Sequence, residues 1–228
     1  MAERNLDEDK RIAAEAGAAR VEDGMVVGLG TGSTAAHLVR ALAERVKGGL
    51  KIRAVPTSKA TDALARSLGI TMVGFDAVSA IDLTLDGADE FDPRLNLTKG
   101  GGGALLFEKV VAAASKRMIV ICDGTKQVEM LGAFPLPVEV VRFGWQQVER
   151  RLTELGAKVK LRGAEAGKIF ETDSGNYILD ASFSEIPVPV AMAMELDHIV
   201  GVVEHGLFVG LCHEVILSSD GVLQTFRR

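Results

Sequence analysis

Up to about residue 130 the chain alternates short, apolar, β-branched runs with longer stretches whose apolar residues recur at helical spacing. Few architectures accept that pattern: strands joined by amphipathic helices pair in one direction, and the helices cover the sheet they connect. Strands are predicted at Met25–Leu29, Ile52–Pro56, Thr71–Phe75, Asp82–Leu85 and Arg117–Cys122. Between the first two, Ala35, Leu38, Val39, Leu42 and Val46 share a helical face. Ala60, Leu64 and Leu68 do the same in the next segment, which Gly69 stops. The expected fold class is α/β, with a Rossmann-like, largely parallel sheet.

The rhythm breaks at LGAFPLPVEVV, where Pro135 and Pro137 punctuate the chain and a second domain is expected. Beyond it the pattern reads as a strand at Val138–Val141, a helix carrying Trp145, Val148, Leu152 and Leu155, and a strand at Lys158–Leu161. A strand pair around the Asp173–Asn176 turn, a helix at Val190–His198 and a strand starting at Val202 and Val203 complete it. That β-α-β-β-α-β order predicts a smaller α+β domain of the ferredoxin-like, split βαβ kind. The last segment is strand-rich and is expected to return to the first domain. The expected division is therefore 1–132 plus 206–228 for the Rossmann-like catalytic domain and 133–205 for the smaller one.

The charge balance narrows the partners. Lys and Arg total 26 against 31 Asp and Glu, and a net charge of −5 disfavours nucleic acid and anionic membranes. An anionic ligand must then be held locally, by backbone N–H groups and a few cations. Cys122 and Cys212 lie in or beside apolar stretches without metal-ligand or redox spacing, which suits buried thiols in a reducing compartment. The first 21 residues are too charged for a secretion signal, and no apolar run approaches the roughly 18 residues of a membrane span. A cytoplasmic location is expected.

The first predicted strand runs into GLGTGSTAAHL, where Thr31, Gly32, Ser33 and Thr34 open directly into a helix. Glycines that let the backbone bend, free N–H groups, the helix dipole and three hydroxyls together outline an anion site. Taken alone, the turn reads equally as a helix cap. A dinucleotide is disfavoured, because Ser33 replaces the third glycine of the usual fingerprint and Thr57 and Ser58 end the second strand where an acid is expected. Thr57–Ser58–Lys59 is a second hydroxyl-rich turn at the same edge, or a simple helix cap.

The third strand-end motif is the most specific: Asp86–Gly87–Ala88–Asp89–Glu90, then a loop to Lys99 and the glycines Gly100, Gly101, Gly102 and Gly103. A solvated acidic turn and a flexible loop would each be ordinary. Neither explains why both lie between a buried strand and the helix ALLFEKVVAAASK with one lysine at the junction. The glycines let the backbone approach a small ligand, and Lys99 supplies a charge for a developing oxyanion. Glu108 sits among Leu105, Leu106, Phe107, Val110 and Val111, an apolar setting that suits a carboxylate taking and returning a proton. A surface glutamate is the alternative. Lys126, in the turn after the Arg117–Cys122 strand, is a further candidate contact. His37, His198, His205 and His213 show no metal spacing, so no metal is expected, and no GxSxG motif marks a nucleophilic serine.

VVGLGTGSTAAHLV, VPTSKAT, DLTLDGADEFDPRLNLTKGGGGALLFEK, ICDGTKQVEMLGAFPLPVEV and GVVEHGLF together resemble the ribose-5-phosphate isomerase A family over nearly the whole chain. The resemblance implies interconversion of D-ribose 5-phosphate and D-ribulose 5-phosphate in the non-oxidative pentose phosphate pathway, without cofactor or metal. It implies substrate binding by Thr31, Gly32, Ser33 and Thr34, by Asp86, Gly87, Ala88 and Asp89, by Lys99, Gly100, Gly101 and Gly102, and by Lys126. Glu108 matches the proton acceptor. The chemistry of an aldose–ketose exchange adds Lys99 to stabilise the enediolate oxygen and Asp86, with Asp89, to relay protons among O1, O2 and the ring oxygen. A homodimer or homotetramer is implied, with the smaller domain at the interface. Alternatives are a hexosamine-phosphate deaminase, a coenzyme A transferase or a non-catalytic sugar-phosphate sensor. A deaminase is expected to place a histidine in the motifs. A sensor is expected to carry a helix-turn-helix and a basic surface.

Overall fold

The computed structural model describes residues 5–228, so the first four residues of the charged N-terminal stretch lie outside the described residues. The elements begin with α1 (Leu6–Ala18), β1 (Val26–Leu29), α2 (Ser33–Lys47), β2 (Arg53–Pro56), α3 (Lys59–Ser67), β3 (Thr71–Met72) and β4 (Leu83–Asp86). The short strands β5 (Glu90–Phe91) and β6 (Leu97–Thr98) precede α4 (Leu105–Ala113) and β7 (Met118–Asp123). Then come β8 (Leu136–Val140), α5 (Trp145–Glu154), β9 (Lys158–Leu161), β10 (Tyr177–Ser182), α6 (Pro189–Asp197) and β11 (Val202–His205). β12 (Leu207–Phe208), β13 (Glu214–Ser219) and β14 (Val222–Arg227) complete the series.

Two compact units emerge. One comprises the residues up to Ala88 with Phe107–Lys126 and Gly210–Arg228; the other comprises Asp89–Leu106 with Gln127–Val209. The sequence reading kept 89–106 with the first domain. In the structure β5, β6 and β12 form a small antiparallel sheet, and that pairing ties 89–106 to the second unit.

The first unit is a seven-stranded sheet in the order β14-β13-β7-β4-β1-β2-β3, parallel except for β14. Chain order runs outward in both directions from the β1/β4 pair. One face carries the larger core, where Val27, Leu29, Leu83, Leu85, Ile119 and Ile121 meet α1, α2 and α3. On the other face Val111 of α4 packs with Val26, Val55 and Ile81. Helices that change face at β1/β4 make that pair the topological switch point, where open α/β sheets leave a crevice beyond the strand carboxyl ends.

Helix α1 was not expected from the sequence. Its buried face is Ala13, Ala14, Gly17 and Ala18, too small to give a hydrophobic signal. Small size is what the position needs: a Cβ on Gly17 would lie 2.6 Å from Ile121 Cγ2. Asp9 of the same helix is buried and accepts from Ser218 Oγ and from the Asp220 and Gly221 N–H groups, pinning the β13–β14 turn. The strand expected at Thr71–Phe75 stops at Met72, because Gly74 opens a single 3₁₀ turn and Phe75 is exposed.

The second unit contains the four-stranded antiparallel sheet β11-β8-β10-β9 with α5 and α6. Numbered within the unit this is 4-1-3-2, the order a split β-α-β-β-α-β chain adopts. Of the strand pair expected around Asp173–Asn176, only the second partner, β10, forms. The residues before it make one bridge, Gly163 to Ile169. Both cysteines are buried, and burial pushes the Cys122 thiol up, leaving it protonated. Among the described residues no helix is long and apolar enough to cross a membrane.

Candidate active site

In the first unit the candidate groups gather at the switch point. Gly28 of β1 and Gly30, just past its end, fall on one face, and neither tolerates a side chain. A Cβ on Gly28 would lie 2.0 Å from Thr84 Oγ1 and 2.6 Å from Val111 Cγ1. A Cβ on Gly30 would lie 2.0 Å from Asp86 Oδ1. The same Asp86 oxygen accepts the Thr31 N–H at 3.1 Å and its neighbour Gly87 N–H at 2.7 Å, so the fully buried carboxylate fastens the Gly-rich turn to the end of β4.

Thr31 carries the link onward. Its hydroxyl meets Thr57 Oγ1 at 2.7 Å, Ser58 Oγ at 2.9 Å and Thr61 Oγ1 at 3.3 Å, and Thr61 donates to the Gly30 carbonyl at 2.9 Å. The turns after β1 and β2, read separately in the sequence, are thus one hydroxyl network. Helix α2 starts at the left-handed Gly32 (φ 109°), which offers no side-chain cap. Its first-turn N–H groups, at Ser33, Thr34 and Ala35, precede the first helical bond, from Ala36 N to Gly32 O. Ser33 is exposed and Thr34 buried.

The sequence left open which face of α4 turns inward. Glu108 is 5% exposed, on the buried side with Val111 and Ala112, while Phe107 and Val110 are exposed and do not surround it. Its height along the sheet follows from its neighbours. The foot of α4 is tied low on β4, where Ser115 Oγ meets Thr84 Oγ1 at 2.6 Å and Ile81 N donates to Ala114 O. Val111 sits over Gly28. Glu108, one turn earlier, is therefore raised toward the edge where β4 ends in Asp86. Lys126, half-buried, lies in the 3₁₀ turn after β7 at that same edge, behind Asp123, which accepts from Thr125 N at 2.9 Å. Gly87 and Ala88 are half-buried.

The second unit holds the other candidates. Lys99 is 2% exposed, its Nζ 5.4 Å from the Phe208 ring centroid and its backbone N–H bound to Gly206 O at 2.8 Å. Gly206 is required there, since a Cβ would lie 2.2 Å from Lys99 O. Gly100 (φ 100°) and Gly103 (φ 81°) adopt left-handed backbone and close a turn through Gly103 N to Gly100 O. Asp89 accepts the Gly101 N–H at 2.7 Å, and Gly101 and Gly102 are exposed. Glu90, buried one residue on, accepts Thr98 Oγ1 and the Gly132 and Phe134 N–H groups. Its role was missed in the sequence; strand alternation, which turns Glu90 to the opposite side from Asp89, is the signal that separates them.

One histidine-containing cluster exists among the described residues. Asp197, Glu204 and His205 bring ligand atoms within 4.8 Å of one another. His205 Nδ1 accepts the Leu207 N–H at 3.2 Å, which assigns the ring proton of the neutral imidazole to Nε2, the atom facing Asp197 at 3.2 Å. In that tautomer Nε2 donates to the carboxylate and presents no lone pair to a metal.

The family model for "Ribose 5-phosphate isomerase A (phosphoriboisomerase A)" matches residues 53–221. The chain belongs to the ribose 5-phosphate isomerase A family. Among relatives of this family, ribose-5-phosphate isomerase A of Sphingopyxis alaskensis is 51% identical over 224 residues, 98% of each chain. That of Caulobacter vibrioides is 53% identical over 222 residues, 95% of this chain and 96% of its own. A solved D-ribose-5-phosphate isomerase in complex with phospho-erythronic acid superposes with a TM-score of 0.96 at 40% identity, over 98% of this chain and all of the other. Ribose 5-phosphate isomerase from Plasmodium falciparum gives 0.94 at 37% identity, covering 98% and 99%. The ribose 5-phosphate isomerase A family thus spans both units, and its parallel sheet with an additional sheet domain is the α/β fold expected from the sequence.

Proposed function

We propose that this protein interconverts D-ribose 5-phosphate and D-ribulose 5-phosphate, and that Glu108 moves the proton. The carrying observation is the buried Glu108 carboxylate, raised on α4 toward the Asp86 edge of the sheet, in a chain of this family. A carboxylate shielded from water and held by a helix suits a base that must return the proton it takes.

In this reading the Thr31–Thr34 turn binds the phosphate with hydroxyls and helix-start N–H groups, and Lys126 adds charge. Glu108 removes the C2 proton of the open-chain aldose; the electron pair moves into a C1–C2 double bond and charge builds on the carbonyl oxygen. Lys99 stabilises that oxygen, with Gly100, Gly101 and Gly102 keeping the backbone close enough to contact the sugar. The resulting enediolate collapses when Glu108 returns the proton to C1. Asp86 and Asp89 relay protons among O1, O2 and the ring oxygen, with Gly87 and Ala88 completing the binding segment. No redox carrier enters the balance.

The expected setting is cytoplasmic, in the non-oxidative pentose phosphate pathway. The expected assembly is a homodimer or homotetramer. Val188, Val190 and Met194, 52–59% exposed on and beside α6, support a subunit contact through the second unit. The deciding experiment incubates purified protein with ribose 5-phosphate and no cofactor and follows the ketose spectroscopically. Turnover supports the proposal, and a substrate pool left unchanged removes it.

A further inference from the structure

Arg162, just beyond β9, makes a contact set that the isomerase reading does not use. Its Nη1 donates to Gly100 O at 2.9 Å and to Gly101 O at 3.2 Å. Nε donates to Asp180 Oδ2 of β10 at 3.0 Å, and Nη2 pairs with Asp180 Oδ1. The guanidinium lies 5.7 Å from the Phe170 ring centroid, and the same ring fills the space where a Gly103 side chain would begin, 2.4 Å from a Cβ built there. All of these residues belong to the second unit. With 14% of its side chain exposed, Arg162 is a largely buried, charge-paired clamp on the glycine turn, not a solvated surface cation.

The peptide groups give the clamp its direction. Gly100 O belongs to the same peptide unit as the Gly101 N–H, which donates to Asp89 Oδ2 at 2.7 Å. A cation bound to the carbonyl end polarises that unit and strengthens its N–H as a donor. Arg162 therefore acts on Asp89 through one peptide. Likewise Gly101 O, drawn toward Arg162, turns the trans-linked Gly102 N–H the opposite way. Asp180 sets the plane of the guanidinium by its paired hydrogen bonds, and Phe170 supports the ring side.

We propose that Arg162, oriented by Asp180 and Phe170, is a positioning residue for the isomerisation: it fixes and polarises the 100–102 backbone so that Asp89 is held for proton relay. The Gly102 N–H is then directed to the sugar's reacting oxygens. This rests on the proposed function. It concerns the proposed sugar contacts at 100–102 and not the proposed phosphate turn at Thr31–Thr34, so the two can be read separately.

The test measures kcat, KM and competitive inhibition by inorganic phosphate for the wild type, Arg162→Met, Arg162→Lys and Asp180→Asn, with thermal unfolding as the control for folding. Wild-type turnover of ribose 5-phosphate is the check on the function itself; its failure would sink that reading and not the clamp alone. For a folded Arg162→Met, kcat is expected to fall about 10- to 100-fold, the scale of a small misplacement at a reacting centre, with phosphate inhibition within about twofold of wild type. Arg162→Lys, keeping the charge but not the planar fork, recovers only part of the loss. A folded Arg162→Met with kcat near wild type overturns the proposal, and so does a parallel loss of kcat and phosphate inhibition, which marks general disorder. Should Arg162→Met not fold, Asp180→Asn decides: a lowered kcat with phosphate inhibition kept supports the clamp, and an unchanged kcat overturns it.

Discussion

The Asp86 carboxylate occupies the space where a side chain on Gly30 would begin, 2.0 Å from a Cβ built there, while accepting the next residue's N–H at 3.1 Å. The tightness is a backbone matter, because Asp86 Cα itself would lie 2.6 Å from that Cβ. Paired strands cannot shift locally to make room. Gly30→Ala is therefore expected to lose about 1–3 kcal/mol of stability, the usual cost of overpacking. Its kcat/KM should drop as the Thr31 turn moves off Asp86. Thermal unfolding and steady-state kinetics check both, and a variant equal to wild type in each would show that the turn does not depend on this contact.

Glu108→Gln preserves volume on the buried face of α4 and removes the base. Expected are a folded protein, a KM within a few-fold of wild type, and a kcat lower by about 10²- to 10⁴-fold, the range for a lost general base. Near-normal turnover would take Glu108 out of the proton transfer.

Isomerisation is expected to persist at an undiminished rate in excess chelator and to gain nothing from added zinc or magnesium. The closest approach to a ligand cluster among the described residues, at Asp197, Glu204 and His205, has the imidazole proton facing Asp197. A rate that falls on chelation and returns with a divalent ion would contradict this.

Glu139 ties stability to pH. Burial pushes its carboxyl above the usual 4.5, Glu204 adds to the rise, and hydrogen bonds from Asn176 and Thr172 oppose it. The folded protein then binds this proton more tightly than the unfolded chain does. The group's contribution is fully present below the unfolded value and is lost as pH rises through the folded one. Glu139→Gln, which can still accept from Thr172 and Asn176, is expected to raise the melting temperature at pH 8 more than at pH 5. Equal shifts at both pH values would exclude the linkage.

How much of this was legible in the sequence depended on how far each signal reached along the chain. Gly28, Gly30 and Asp86 announced themselves as strand-end motifs, and the β-α-β-β-α-β order of the second unit followed from periodicity. Helix α1 was hidden because its buried face is alanine and glycine. β5, β6 and β12 are two residues each, too short for any period to register. Thr61 and Arg162 carried no local signal. Their partners at Gly30 and Gly100 lie 31 and 62 positions away, and only the folded topology brings them together. For Glu108 the residue type was readable and its face was not. Gly28 helps make the choice, since its missing side chain leaves the space that Val111 fills.

The hydroxyls of Thr31, Thr57, Ser58 and Thr61 form a directed chain: Thr31 donates to Ser58, Ser58 to Thr61, Thr61 to the Gly30 carbonyl, and Thr57 to the Leu29 carbonyl. A run that ends on backbone carbonyls cannot reverse its sense by rotating protons, because a carbonyl only accepts. A phosphate monoester loses its second proton at about pH 6, so a ligand held by fixed donors alone would bind one ionic form and shun the other. With those protons committed, the donors left to the proposed phosphate site are fixed ones, the helix-start N–H groups above all. In that proposed role the turn favours the dianion, and affinity for the sugar phosphate should rise as pH passes the ester's second ionisation.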